Sequence, residues 1–204
     1  MMRYVEPTSR IAEKRLLDEY FRLRKTIFCD RLGWVGAMAD GREIDEFDAP
    51  YNVYALNIDE PTGQLAGGAR LMPTTGPTLL HSKWAHLLPE PTRYRADDLW
   101  EVTRFCVDDR SESRKSHFVN KPTVELAFGL LRFAAERGIG SLIGICELSF
   151  FSMAGAFGEE PEIIATHVDS RGLAYGCGIF NVDPEMKFMP WAGRIVGPPE
   201  VVET

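Results

Sequence analysis

Residues 99–107 read LWEVTRFCV, and the reading of this stretch decides the fold class. Its β-branched and aromatic side chains suit a pleated, largely buried surface, so it predicts a strand. Two charges interrupt it, Glu101 and Arg104. Charges inside a buried element are rarely left unpaired, because an ion taken out of water needs a partner. The two lie three residues apart, which puts them on opposite faces of a regular strand. A β-bulge between them would bring both to one side, and bulges are common beside active sites. An irregularity is therefore expected near Val102 or Thr103.

On the C-terminal side, residues 122–137 (PTVELAFGLLRFAAER) have the apolar period of an amphipathic helix. Pro122 suits its first turn, Glu125 complements the dipole there, and Gly138 suits its C-terminal cap. Residues 141–146 (SLIGIC) predict a buried strand, 148–156 a helix, and 162–168 and 173–182 two weaker strands. Positions 190–204, rich in Pro and Gly, read as a loose tail. On the N-terminal side, residues 52–58 and 64–72 form a hairpin around the turn Asp59-Glu60-Pro61-Thr62-Gly63. A short helix is expected around 79–87. Residues 33–50 are rich in Gly and Asp and read as a functional loop, because they also hold Trp34 and Phe47. Residues 11–28 have a helical period that places Arg24 and Phe28 on one face. The order of helix, hairpin, strand, helix, strand, helix and strands predicts an α/β sandwich with a mixed sheet, not a regular βαβ alternation.

The 204 residues suit a single domain with a substantial core, residues 1–50 forming its N-terminal helix and loop. No apolar run approaches the roughly 20 residues that span a bilayer, and the N-terminus lacks the apolar core of a secretory signal. The expectation is a cytoplasmic protein with no membrane partner. A net charge of −7 argues against nucleic acid, which calls for clustered positive charge. Cys29, Cys106, Cys146 and Cys177 form no CxxC pair, and the four histidines have no ligand spacing, so no metal is expected. Nothing demands an oligomer, and a monomer is expected. Between residues 110 and 121 stand Arg110, Arg114, Lys115 and Lys121. They are either a solvated loop or a docking patch for coenzyme A phosphates or an acidic carrier protein.

The chemistry-bearing feature is a set of charges in segments that otherwise look ordered: Arg24, Glu43, Asp45, Asp48, Arg70, Glu101 and Arg104. One reading is a buried ion network that only fixes the fold. The other is a site for a small polar ligand, which so many charges and neighbouring aromatics suit better. The segments Arg24-x-x-x-Phe28, Leu32-Gly33-Trp34, Glu43-Ile44-Asp45-Glu46-Phe47-Asp48, Arg70-Leu71-Met72-Pro73-Thr74-Thr75 and Trp100-Glu101-Val102-Thr103-Arg104-Phe105 together resemble the signature of the acyl-homoserine-lactone synthase (autoinducer synthase) family. Their order and spacing match from about residue 20 to residue 107.

The resemblance implies a GNAT-like three-layer sandwich with a mixed, mostly antiparallel sheet and an N-terminal helical and loop segment that binds substrate. It implies N-acylation of S-adenosylmethionine by an acyl thioester, then closure to an N-acyl-homoserine lactone quorum-sensing signal with release of methylthioadenosine. S-adenosylmethionine is then a substrate, and no cofactor is expected. Deprotonating the amine calls for a carboxylate; Glu101 is the first candidate for this base and Glu43 the second. The sulfonium favours nearby anions and aromatic faces, which Asp45, Asp48 and Trp34 offer. Phe28 and Trp34, which flank the acidic loop, are expected to cover the adenosine or seal the site, and Phe105 is expected among the residues that bind S-adenosylmethionine. Arg104 is the candidate fork for the substrate carboxylate, while Arg24 and Arg70 are expected to hold the acidic loop through Asp45 and Asp48. Backbone N–H groups near Phe105–Val107 would meet the thioester oxyanion. Trp84, which stands where the family usually has phenylalanine, joins Cys146, Phe150 and Phe151 as candidate walls of an acyl pocket, although the phenylalanines also suit plain core. Gly144 and Cys146 offer no hydroxyl where 3-oxo-selective members tend to carry one. The helix after that strand carries no basic residue for docking acyl carrier protein, so acyl carrier protein and acyl-CoA both remain open as donors. Two other readings are open: a GNAT-type acyltransferase acting on another amine, and a non-catalytic sensor of the same ligands.

Overall fold

The computed structural model describes residues 1–36, 40–108, 121–156 and 161–182. The expected positions Arg110, Arg114 and Lys115 and the tail at 190–204 lie outside these. Seven strands form one sheet: β1 (Met2–Val5), β2 (Val53–Ile58), β3 (Leu65–Pro73), β4 (Leu99–Val107), β5 (Ser141–Glu147), β6 (Glu162–Val168) and β7 (Ala174–Asn181). Their order is β1-β2-β3-β4-β5-β7-β6. Every pair is antiparallel except β4 and β5, so the sheet is mixed and mostly antiparallel. Helices α1 (Lys14–Arg24) and α2 (Leu79–Lys83) pack on one face, and α3 (Lys121–Glu136) and α4 (Leu148–Ala156) on the other. The result is a three-layer sandwich. Among the described residues no helix is long and apolar enough to cross a membrane.

Alternation along β4 sorts the two faces. Trp100, Val102 and Phe105 pack with α3 through Leu126, Leu130 and Phe133. Leu99 joins Leu80 of α2 and Ile143 of β5 on the opposite face, and Cys106 packs with Tyr20 and Leu23 of α1. Gly138 caps α3 with a φ of +67°. The Gly138 N–H bonds the Ala135 carbonyl at 3.3 Å and the Ile139 N–H the Ala134 carbonyl at 2.9 Å. This is a Schellman cap, in which a residue without Cβ takes the left-handed conformation at no steric cost.

Three features differ from the sequence expectations. The N-terminal strand β1, which pairs with β2 in register Met2↔Asn57 to Val5↔Tyr54, is too short to show a period. The first helix begins later and runs further than 11–28. After α1 it continues as a π-helix over Lys25–Arg31, marked by the Leu32 N–H bonding Ile27 O at 3.0 Å. Such widened turns cluster at functional sites. The irregularity in β4 is present but lies later than Val102 or Thr103. Arg70 pairs with Thr103 and Gly68 with Cys106, so one extra residue is inserted in β4 between them. Arg104 takes it up, with φ at +54°, the one non-glycine positive φ among the described residues. Its carbonyl accepts a 2.9 Å bond from the Tyr20 hydroxyl, which braces this strained conformation.

Tyr20 approaches the sheet through Gly68, where an added Cβ would stand 2.7 Å from the tyrosine ring and 2.9 Å from Leu56. Gly68→Ala is expected to cost about 1–3 kcal/mol by overpacking, a fall in Tm of roughly 2–12 °C for a chain of this size. Thermal denaturation checks this; an unchanged Tm would show that Tyr20 does not hold the bulge through this contact.

Candidate active site

The loop 40–50 carries three carboxylates to the α1 face of the sheet, and three arginines from three elements receive them. Arg24 of α1 donates from Nε to Glu43 at 2.5 Å and grips Asp48 with Nη1 and Nη2 at 2.8 and 2.9 Å. Arg70 of β3 grips Asp45 at 2.5 and 3.1 Å and bonds Thr103 Oγ1 at 3.0 Å. Arg104 of the β4 bulge donates to Glu43 at 3.0–3.2 Å and to Asp45 at 2.8 Å. Tyr54 adds a 3.0 Å bond to Asp48. Paired forks of this kind are the strong form of the ion pair, and they offset the desolvation of groups that are almost wholly buried. Burial alone would raise the Asp48 carboxyl. Hydrogen bonds and charge from Arg24, then the charge of Arg70, outweigh it and hold the group well below the usual carboxylate range.

The lattice has two layers. Arg24, Arg70, Glu43 and Asp48 form the inner one, while Asp45 and Arg104 line a cavity of about 1320 Å³. Arg104 uses Nε and Nη2 within the lattice, so among the described residues Nη1 has no hydrogen-bond partner. Phe28 lies under this guanidinium, 5.5 Å from Cζ to ring centroid, and 5.9 Å from Trp34, the two rings tilted by 31°. Glu43, considered above as a second base, is wholly buried with both oxygens bonded to guanidinium groups. It ties the loop to the sheet and does not reach the cavity.

The cavity passes through the sheet. Strands β4 and β5 pair only over Leu99–Glu101 with Ser141–Ile143 and then part. The wedge joins a polar lobe on the α1 and α2 face to an apolar lobe under α3 and α4. Val124, Ala127, Phe128 and Leu131 of α3, with Phe180 of β7, line the apolar lobe. Cys146 and Phe150 also line this lobe, and burial pushes the Cys146 thiol far above its ordinary range. Phe105 is in this lobe too, 5.2 Å from Phe150, because the bulge turns it away from the acidic loop where it was expected. Two further expectations are corrected. Phe151 does not line the cavity: it fills the space over Gly176 and Gly178 and stacks on Phe180 at 5.8 Å. Trp84 lines the cavity but sits at the end of α2, on the polar side of the sheet, with Leu80, Leu99 and Ile143 as neighbours. Lys121 starts α3 and pairs with Glu125 at 3.4 Å.

Glu101 stands at the junction of the lobes, 1% exposed. Its Oε1 accepts the Leu80 N–H at 2.9 Å, while Oε2 has no hydrogen-bond partner among the described residues. Burial raises its pKa to about 7, against smaller opposing effects from the Leu80 N–H and the charge of Arg70. A carboxylate poised near neutrality can accept or release a proton under physiological conditions. The sequence did not single out the α3 wall, nor Asp169, Arg171 and Tyr175, which close the polar lobe from the β6–β7 end. An apolar helix face reads alike whether it meets core or cavity.

Breaking the lattice should be severe, because the partner charges stay buried. Asp48→Asn is expected to destabilise the fold by about 3–5 kcal/mol at pH 7. The sign with pH follows from the lowered Asp48 value. Its contribution is present above the unfolded carboxylate pKa of about 3.9 and is lost as pH falls through the folded value, so the gap to wild type should shrink below about pH 4. Urea denaturation at pH 7 and pH 3.5 measures both.

The autoinducer synthase family matches this chain over residues 8–167. An acyl-homoserine-lactone synthase of Rhizobium etli is 31% identical over 182 residues, 89% of this chain and 84% of that protein. The solved structure of a CoA-dependent acyl-homoserine lactone synthase, MesI, is similar with a TM-score of 0.78 and 26% identity, covering 91% of this chain and 90% of that one. An acyl-CoA N-acyltransferase from Pseudomonas aeruginosa shares the fold at a TM-score of 0.53 and 11% identity, over 88% and 98% of the two chains. With the signature segments gathered around one through-sheet cavity, and the match running across most of its length, this chain belongs to the autoinducer synthase family and is an acyltransferase of the acyl-homoserine-lactone synthase kind.

Proposed function

We propose that this enzyme transfers an acyl group from coenzyme A to the amine of S-adenosylmethionine and then closes the product to an N-acyl-homoserine lactone, a quorum-sensing signal. The observation that carries this reading is Glu101: a buried carboxyl with one oxygen unpartnered among the described residues, where a polar lobe meets an apolar one. The polar lobe suits the sulfonium amino acid, with Asp45 and the Phe28 and Trp34 rings for its positive charge and Arg104 Nη1 for its carboxylate. The apolar lobe suits the acyl chain. The thioester carbonyl then lies in the wedge, where β4 beyond Glu101 has no strand neighbour on the β5 side and offers backbone N–H groups to the oxyanion.

In the first step the amine nitrogen attacks the thioester carbon, Glu101 takes the amine proton, and the thiolate of coenzyme A leaves. In the second, an oxygen of the methionyl carboxylate attacks the carbon bearing the sulfonium. The C–S bond breaks, methylthioadenosine departs with the electron pair, and the lactone closes. Two observations favour coenzyme A over acyl carrier protein: residues 147–156 hold no basic side chain, and MesI, similar over most of the chain, is CoA-dependent. Methylthioadenosine release from purified protein, S-adenosylmethionine and an acyl-CoA tests the reading. Release with acyl carrier protein donors alone would refute the choice of coenzyme A, and release with neither would refute the reaction.

Glu101→Gln should retain S-adenosylmethionine binding by calorimetry and lower turnover by about 100-fold or more. For the wild type, kcat/KM should rise with pH and level off above about 7 as Glu101 ionises. The same shift has a stability consequence of known sign. The folded pKa is raised above the unfolded value of about 4.3, so ionisation costs stability increasingly from there up to about 7. Glu101→Gln should therefore raise Tm at pH 8 and leave it little changed at pH 4.5.

A further inference from the structure

Beyond the family signature, one wall of the polar lobe is built by the β6–β7 end of the sheet. Tyr175, the second residue of β7 and 8% exposed, lies 5.6 Å from Trp34 with the rings edge to face. Trp34 in turn lies 5.9 Å from Phe28, so three rings from three separate segments form one run along the cavity. The turn before β7 is tied to it. Asp169 Oδ1 accepts the Arg171 and Leu173 N–H groups at 2.8 and 3.0 Å, and Oδ2 accepts Arg171 Nε at 3.0 Å. Arg171 then reaches across, bonding the Leu32 carbonyl from Nη1 at 3.2 Å and the Tyr175 hydroxyl from Nη2 at 3.3 Å. One guanidinium thus joins the chain leading into Trp34 to the strand that carries Tyr175.

We propose that this wall recognises the nucleoside half of the substrate: Tyr175 extends the Phe28–Trp34 run into a platform for a purine ring, and Arg171 is the positioning residue that holds Trp34 and Tyr175 at their spacing. The inference rests on the lobe being the S-adenosylmethionine site. A flat purine gains from stacking against aromatic faces and edges, a contribution tolerant of exact pairing. The acyl lobe lies on the other face of the sheet, so changes at Tyr175 act on one substrate and spare the other.

Calorimetry on the full chain, with methylthioadenosine as the probe, provides the test. Tyr175→Leu is expected to weaken binding by about 10-fold or more, and Tyr175→Phe, which keeps the ring, by no more than about 2-fold. Arg171→Gln should weaken it by about 3-fold and alter the tryptophan emission change on binding. In steady-state assays Tyr175→Leu should raise KM for S-adenosylmethionine and leave KM for the acyl thioester unchanged, a split that general misfolding would not produce. Wild-type affinity in Tyr175→Leu, or equal rises in both KM values, would overturn the nucleoside wall while leaving the synthase reading in place. A wild-type chain that neither binds nor releases methylthioadenosine would overturn that reading and the wall with it.

Discussion

Three guanidinium groups and three carboxylates, almost wholly withdrawn from water, hold an irregular acidic loop against a β-sheet. Each arginine comes from a different element, α1, β3 or the bulge of β4, and each carboxylate is shared between two arginines or accepts a guanidinium fork on both of its oxygens. A loop has no ladder of its own to fix it, so its position depends on these forks. The lattice is nearly self-satisfied, and its outward layer of Asp45 and Arg104 lines the cavity. The deep layer positions; the outer layer presents.

Glu101 shows how environment separates carboxylates of the same chemistry. Asp48, close to Arg24 and Arg70, is held ionised. Glu101, two residues from Thr103 on the same strand, takes the Leu80 N–H on one oxygen and has no hydrogen-bond partner among the described residues on the other, and burial lifts it toward neutrality. One side of the strand pair thus carries fixed charge, and the junction of the lobes carries a group that can change charge.

The wedge between β4 and β5 depends on the strained residue. A regular β4 would point Arg104 away from the loop and Phe105 toward it. The inserted residue reverses both, placing the guanidinium with Glu43 and Asp45 and the phenyl ring against Phe150 in the apolar lobe. Tyr20 braces the turn from α1. Strain is concentrated where the polar and apolar lobes join, and the surrounding packing maintains it.

Periodicity and turn chemistry alone determined the hairpin 52–72, the strand 99–107, the helix closed by Gly138 and the order of elements that makes an α/β sandwich with a mixed sheet. Those signals are local: a strand alternates, a helix repeats, and a glycine takes positive φ wherever the chain folds. The charged set was legible because Glu101 and Arg104 break an apolar strand, and so was the need for a bulge, though not its location at Arg104. Tertiary structure decided the rest. Whether Glu43 faces a guest or a pair of arginines, whether Phe151 lines a cavity or covers Gly176 and Gly178, and that Tyr175 comes to lie beside Trp34 are matters of distance between segments far apart in the chain. A buried side chain leaves the same apolar mark in sequence whether its neighbour is core or cavity, and only the packed arrangement distinguishes them.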